Sequence, residues 1–211
     1  MKHVAAAACA SGPILNQAEI LDSDRLDVLM AELKPECRAV LSTCRFTAAR
    51  INVALNLKWE NVTPTAVVIP KACTKKKTAT RTIPMHPKLW EEVVRWRATF
   101  ETEPNKTDWV FPSKKDMTKH FPRRTVDHEL RTVCGKLGLE GVSTHSFRRS
   151  ALTAASSKGV PLRVIQSISG HSSLDILQRY LSVTDNQKKE AALAFDKFFE
   201  RADVYVQICK R

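Results

Sequence analysis

Residues 145–180 read HSFRRSALTAASSKGVPLRVIQSISGHSSLDILQRY, and their punctuation decides the class of fold. A helix from about residue 146 to 158 stops at Gly159, a natural place for a left-handed cap. Pro161 starts the next helix in the first-turn position that proline tolerates, and Gly170 closes it. Ser172, with Asp175 three residues later, resembles a capping box that opens a third helix containing Tyr180. This third of the chain is helical throughout.

Further helices are expected on both sides. Residues 186–200 form a final helix carrying Ala191, Leu193, Ala194, Phe195, Phe198 and Phe199, with a tail at 202–211. Upstream, residues 22–33 place Leu26, Leu29, Met30 and Leu33 at helical spacing, with Asp22 or Ser23 as cap. Pro35 opens a second helix to about residue 44. A third, at 48–57, puts Ile51, Ala54, Leu55 and Leu57 on its apolar side. The pattern then changes. Residues 65–69 are β-branched and read as a strand, 80–83 read as its partner, and the tip between them is basic with Lys71, Lys75, Lys76 and Lys77. Helix returns at 87–100, a short extended piece comes at 109–112, and another helix spans 124–137, ending near Gly138. The expected class is a mostly α fold with a small antiparallel β-sheet, one hairpin in extent. Residues 1–15 are expected to be a flexible arm, 16–185 the working domain, and 186–211 a C-terminal helix and tail.

Composition narrows the partners. The 211 residues hold 34 Lys and Arg against 22 Asp and Glu, a formal net charge of +12. That excess suits a polyanion, because each phosphate neutralised releases condensed counterions. The six cysteines, at positions 9, 37, 44, 73, 134 and 209, form no C-x-x-C pair, so neither a zinc site nor a redox motif is expected. Reduced thiols in a cytoplasmic protein are the simplest reading. No stretch approaches the ~20 apolar residues of a membrane span. The alanine-rich start is too short and too weakly hydrophobic for a signal peptide. The tryptophans at 59, 90, 96 and 109 are assigned to packing.

Three segments carry chemistry when taken together. The first runs TAARINVALNLKW from Thr47 to Trp59, the second is HSFRR from His145 to Arg149, and the third is GHSSLDILQRY from Gly170 to Tyr180. Attack on a phosphodiester builds negative charge on the non-bridging oxygens. Guanidiniums answer that need, being always charged and matching phosphate with paired donors. His145 and Arg148 are three apart, hence on one helical face. His171 comes directly after a helix-ending glycine, where an imidazole is presented to a ligand. A tyrosine hydroxyl, with a pKa of about 10, is a weak nucleophile that needs a base and nearby cations. No carboxylate cluster accompanies these residues, so neither a metal nor another cofactor is expected. Taken singly, each residue has an ordinary structural explanation, such as a solvated Arg50 or a hydrogen-bonded His171. Six suitable residue types in order, on suitable elements, make coincidence a poor account.

The segments resemble the tyrosine recombinase (phage integrase) family, whose signature is an early Arg, a hairpin Lys, H-x-x-R, a G-H pair and a late Tyr. T-x-x-R with L-x-L-x-W after it supplies Arg50, with Arg45 as a competitor whose distance from Leu57 and Trp59 fits less well. H-x-x-R supplies His145 and Arg148, G-H supplies His171, and Q-R-Y supplies Tyr180. The family lysine lies eight residues before a proline; counting back from Pro84 gives Lys76, flanked by Lys75 and Lys77. The resemblance covers residues 16–199.

It implies a division of labour. Arg50, Arg148 and His171 would hold the scissile phosphate, Lys76 would protonate the leaving 5′ oxygen, and His145 would assist proton transfer at the nucleophile Tyr180. Lys75, Lys77, Arg81 and Arg149 would contact DNA. The implied partners are double-stranded DNA, further copies of the chain in a tetramer on a DNA synapse, and an accessory DNA-bending protein. Departures exist: Val53 stands where an acidic residue is frequent, and Ala48 and Ala79 where glycine is. Most relatives also carry an N-terminal DNA-clamping domain, for which this length leaves no room; short fimbrial inversion recombinases resemble this arrangement. The rivals are a non-catalytic DNA-binding remnant and a type IB topoisomerase-like enzyme. The G-H-x8-Y spacing and the C-terminal helix favour recombination.

Overall fold

The computed structural model describes residues 18–73, 79–178, 188–189 and 191–193. Helix α1 spans Ser23–Glu32, with the Asp22 carboxylate accepting from the Arg25 amide at 2.8 Å. Helix α2, Pro35–Thr47, starts with proline in its first turn and ends at Ala48, whose φ of 50° is left-handed. That turn shortens the third helix. In place of a helix over 48–57 there is only α3, Ile51–Leu55, and α2 extends further than expected. Arg50 therefore stands in extended backbone at the N-terminus of α3, exposed, rather than inside a helix.

A two-stranded antiparallel sheet pairs β1, Ala66–Ile69, with β2, Arg81–Pro84; Val67 faces Ile83 and Ile69 faces Arg81 in register. The alternation is physical. Val67, Ile69 and Ile83 are buried, while their neighbours reach toward solvent. Helix α4, Pro87–Arg97, and the 109–112 segment come next in the chain. The latter makes isolated bridges from Trp109 to Lys58 and from Pro112 to His120. Helices α5, Arg123–Lys136, α6, Thr144–Ser157, α7, Leu162–Ser169, and α8, Leu174–Gln178, complete the described elements. Ser173, rather than Ser172, caps α8, its hydroxyl accepting from the Ile176 amide at 3.3 Å. Residues 188–189 and 191–193 are helical, within the helix expected at 186–200, and Leu193 is 66% exposed. The N-terminal arm, the hairpin tip at 74–78 and Tyr180 lie outside the described residues.

The core threads the helices and the sheet, with Leu29, Leu41, Leu55, Ile69, Leu89, Phe111, Leu130 and Phe147 all buried. Each such side chain stabilises the fold by about 1.5–3 kcal/mol through removal from water. A smaller cluster of Ala48, Leu152, Ile165 and Leu177 ties α6, α7 and α8 to the end of α2. This second cluster fixes the turn at Ala48 against the helices on either side of the Gly170–His171 turn. Tryptophans 59 and 96 pack as expected, with Trp96 donating to the Val110 carbonyl at 2.7 Å. Among the described residues no helix is long and apolar enough to cross a membrane.

Candidate active site

Four polar side chains converge where α2, α6 and α7 end or begin. Ser143 caps α6, accepting from the His145 amide at 3.3 Å, and this sets the phase of the helix. Arg148 then points inward and His145 outward. Arg148 is 1% exposed. Its Nη1 donates to the Ala48 carbonyl and its Nη2 to the Ser169 carbonyl at 2.9 Å. The same Nη2 lies 3.0 Å from His171 Nε2. The left-handed Ala48 is thus needed for the site as well as for the fold, since its turn aims the carbonyl at a buried guanidinium.

His171 is 5% exposed, with Nδ1 2.8 Å from Ser169 Oγ. An arginine has no lone pair to offer, so Arg148 Nη2, 3.0 Å from Nε2 and 3.4 Å from Nδ1, can only donate toward the ring. The Ser169 hydroxyl donates to the Gln166 carbonyl at 3.4 Å, which leaves its oxygen to accept from Nδ1–H. Gln166 Nε2 donates to the His171 carbonyl at 3.2 Å, closing the loop. A second ring proton would face a guanidinium. Burial, then Arg148, Arg50 and Arg81, accordingly push the His171 pKa from 6.5 down to about 3. His145 is also lowered, by partial burial and by Arg123, Arg148 and Arg50, with Asp127 opposing. Its neutral form at neutral pH can accept a proton.

The folded state thus holds His171 neutral, while the unfolded chain protonates it below about pH 6.5. The unfolded state binds more protons between these values, so the His171 contribution is complete above pH 6.5 and lost as pH falls toward 3. Between pH 7 and pH 5 that loss amounts to about 2 kcal/mol. Urea unfolding at both values is expected to show a drop in wild type that shrinks by this amount in His171→Gln. Equal drops would contradict the closed hydrogen-bond loop.

Arg50 lies close enough to His171, His145 and Arg81 to affect the protonation of all three. Arg45 is placed otherwise: it pairs with Asp27 at 2.5 Å, donates to Ser23 Oγ at 3.1 Å and covers the Phe46 ring. Arg81 is half-buried and donates to the Ile168 carbonyl at 2.6 Å. Arg149 is also half-buried; it donates to the Ala18 carbonyl at 2.7 Å and so helps tie the chain before α1 to α6. Lys75, Lys76, Lys77 and Tyr180 lie outside the described residues. Ser169, Gln166 and the Ala48 carbonyl belong to the site although motif spacing did not single them out. Ser169 had a signal available, being the residue immediately before the G-H pair.

A mostly helical domain with one small antiparallel sheet is the architecture of tyrosine recombinase catalytic domains. The XerA recombinase superimposes with a TM-score of 0.69 at 21% identity, covering 84% of this chain and 65% of that one. The Tn1549 transposon integrase, in complex with a circular intermediate DNA, gives 0.69 at 12% identity over 87% of this chain and 68% of that one. The phage integrase family model matches residues 19–187, and the chain belongs to that family. Among curated relatives, tyrosine recombinase XerD of Vibrio vulnificus is 27% identical over 162 residues, 72% of this chain and 50% of that protein. Tyrosine recombinase XerC of Brucella melitensis is 29% identical over 166 residues, 78% of this chain and 50% of that protein. The chain spans about half the length of these curated relatives.

Proposed function

We propose that this domain cuts and rejoins DNA at specific sites through a 3′-phosphotyrosyl intermediate on Tyr180, without metal or ATP. The observation that carries this reading is the buried Arg148, held by two carbonyls and His171, with Arg50 close by. A guanidinium stays charged even when buried, and a fixed cation near Arg50 suits an anionic phosphate. Family membership and DNA-bound relatives of the same fold support DNA as the substrate.

Every atom and proton in the reaction has a place. Tyr180 Oη attacks phosphorus while neutral His145 takes its proton. The P–O bond to the 5′ oxygen breaks, and that oxygen leaves with a proton from Lys76. Arg50 and Arg148 stabilise charge on the non-bridging oxygens, with His171 holding Arg148 in place. The phosphotyrosyl bond conserves the energy of the broken phosphodiester, so attack by a 5′ hydroxyl from a partner strand restores DNA with no other energy source. Arg149, Lys75 and Lys77 supplement DNA binding in this reading, whereas Arg81 is turned to the Ile168 carbonyl.

In this reading strand exchange takes place between copies of the chain in a tetramer on the synapse, where an accessory DNA-bending protein is a further candidate partner. The exposed Leu193 supports docking of the 186–200 helix on a neighbour. A groove of about 570 Å³, with Leu26, Phe46, Leu152 and Ile165 on its apolar part and Arg45 and Lys88 at its polar part, is a surface suited to receive it. The proposed setting is the cytoplasm, at the nucleoid.

The leaving-group role assigns Lys76 a distinct signature. General-acid loss slows such steps by about 10²–10⁴-fold. Lys76→Ala is expected to cleave an ordinary duplex that much more slowly, yet to approach wild-type rate when sulfur replaces the bridging 5′ oxygen, because a thiolate leaves without a proton. Rescue of Lys75→Ala or Lys77→Ala instead would move the role to that residue.

A further inference from the structure

We propose that Arg81 is a positioning residue that clamps β2, the strand leaving the basic hairpin, onto the Gly170–His171 turn, so that hairpin and His171 meet the phosphate as one unit. For its catalytic consequence this rests on the strand-transfer reading above. It departs from treating Arg81 as one more DNA-contacting cation.

Two arginines from different elements hold the C-terminus of α7. The last carbonyls of a helix have no partner within it and must find one elsewhere. Here the Ile168 carbonyl receives Arg81 Nη1 from β2 at 2.6 Å, and the next carbonyl, Ser169, receives Arg148 Nη2 from α6 at 2.9 Å. The Gln166 carbonyl is taken by the Gly170 amide at 2.8 Å. The turn carrying His171 is therefore fixed from the sheet on one side and from α6 on the other.

Two features favour glycine at position 170. Its φ of 66° is left-handed, which disfavours a side chain. A Cβ there would also run into the Arg81 guanidinium, 2.5 Å from Cζ, 2.8 Å from Nε and closer still to Nη1. The guanidinium thus occupies the notch that the missing side chain leaves. A lysine ammonium could reach the carbonyl, but it is not planar and would not fill that notch. Arg81 is partly buried beside Arg50, and both effects lower its pKa. Hydrogen bonding, shape and placement all connect the strand after the hairpin lysines to the residue beside Arg148.

The full chain is compared with Arg81→Met, Arg81→Lys, Gly170→Ala and the Arg81→Met/Gly170→Ala double variant. Amide exchange at Gly170 is expected to quicken by about 10-fold or more in Arg81→Met, with a smaller increase in Arg81→Lys, while amides of α2 stay protected. On a duplex that wild type attacks, Arg81→Met and Gly170→Ala are each expected to slow single-turnover attachment by about 10- to 100-fold, the scale of a misplaced catalytic group. DNA affinity should change less than about threefold, and the double variant should be no slower than the worse single one, because both disrupt one notch. Unchanged Gly170 exchange in Arg81→Met, or a loss confined to DNA affinity, would overturn the clamp. If wild type attacks no duplex, the strand-transfer reading falls, and the exchange comparison still decides the clamp.

Discussion

Arg148→Ala is expected to lower the rate of covalent DNA attachment by about 10³-fold or more, while DNA binding weakens far less. Removing a single oriented donor from a charge-stabilising site costs about 10²–10³ in rate, and Arg148 also holds the Ser169 carbonyl and contacts the His171 ring. Stability must be separated from this effect. The variant leaves the Ala48 and Ser169 carbonyls without their donor, each orphaned group costing about 1–3 kcal/mol. Against that, it removes a guanidinium from a buried setting, which offsets part of the loss. The net destabilisation is therefore on the order of several kcal/mol, and rates are to be compared where urea titration shows both proteins folded. Arg148→Lys sharpens the test. It keeps the charge, but one ammonium cannot hold both carbonyls in the planar geometry of the guanidinium. Near wild-type attachment by folded Arg148→Ala would remove this residue from the chemistry.

The second large effect is expected at Tyr180. Tyr180→Phe deletes one oxygen, and if that oxygen is the nucleophile, attachment vanishes with no slower version left. Affinity for the same duplex should remain within about twofold, since only a hydroxyl is lost and the ring stays. The comparison has an internal control, because the chain has two tyrosines and the other is Tyr205 in the tail. Tyr205→Phe is expected to attach DNA as wild type does. Persistence of the adduct in Tyr180→Phe would place the nucleophile elsewhere.

Much of the fold was legible from residue order. Glycines 159 and 170 ended helices with φ of 74° and 66°, and Pro35, Pro87 and Pro161 stood at helix starts, because proline and glycine constrain backbone whatever surrounds them. Ala48 was not legible as a turn. An alanine carries no local signal for a left-handed φ, and here tertiary packing against Leu152 and Ile165 holds it. That one residue shortened α3 and moved Arg50 from inside a helix to its N-terminus. Spacing placed His145 and Arg148 on one face, but the helix rotation that buries one and exposes the other is set by the Ser143 cap and the core around Phe147. Arg81 and Arg149 read as surface cations because a sequence shows charge and not direction; both turn inward to backbone carbonyls. Ser173 displaced Ser172 as the cap of α8, a one-residue shift between two equally suitable hydroxyls.

Phosphotyrosine chemistry at Tyr180 without metal can be measured directly. The chain is incubated in chelator with nicked duplexes drawn from the DNA flanking its own gene. Covalent species are then isolated under denaturing conditions, digested, and the nucleotide-bearing peptide is identified by mass spectrometry. The expected product is a 3′-phosphate linked to the peptide containing Tyr180, formed in chelator and absent from Tyr180→Phe. Linkage to another residue, cleavage that requires a divalent cation, or binding to every duplex with attachment to none would contradict it.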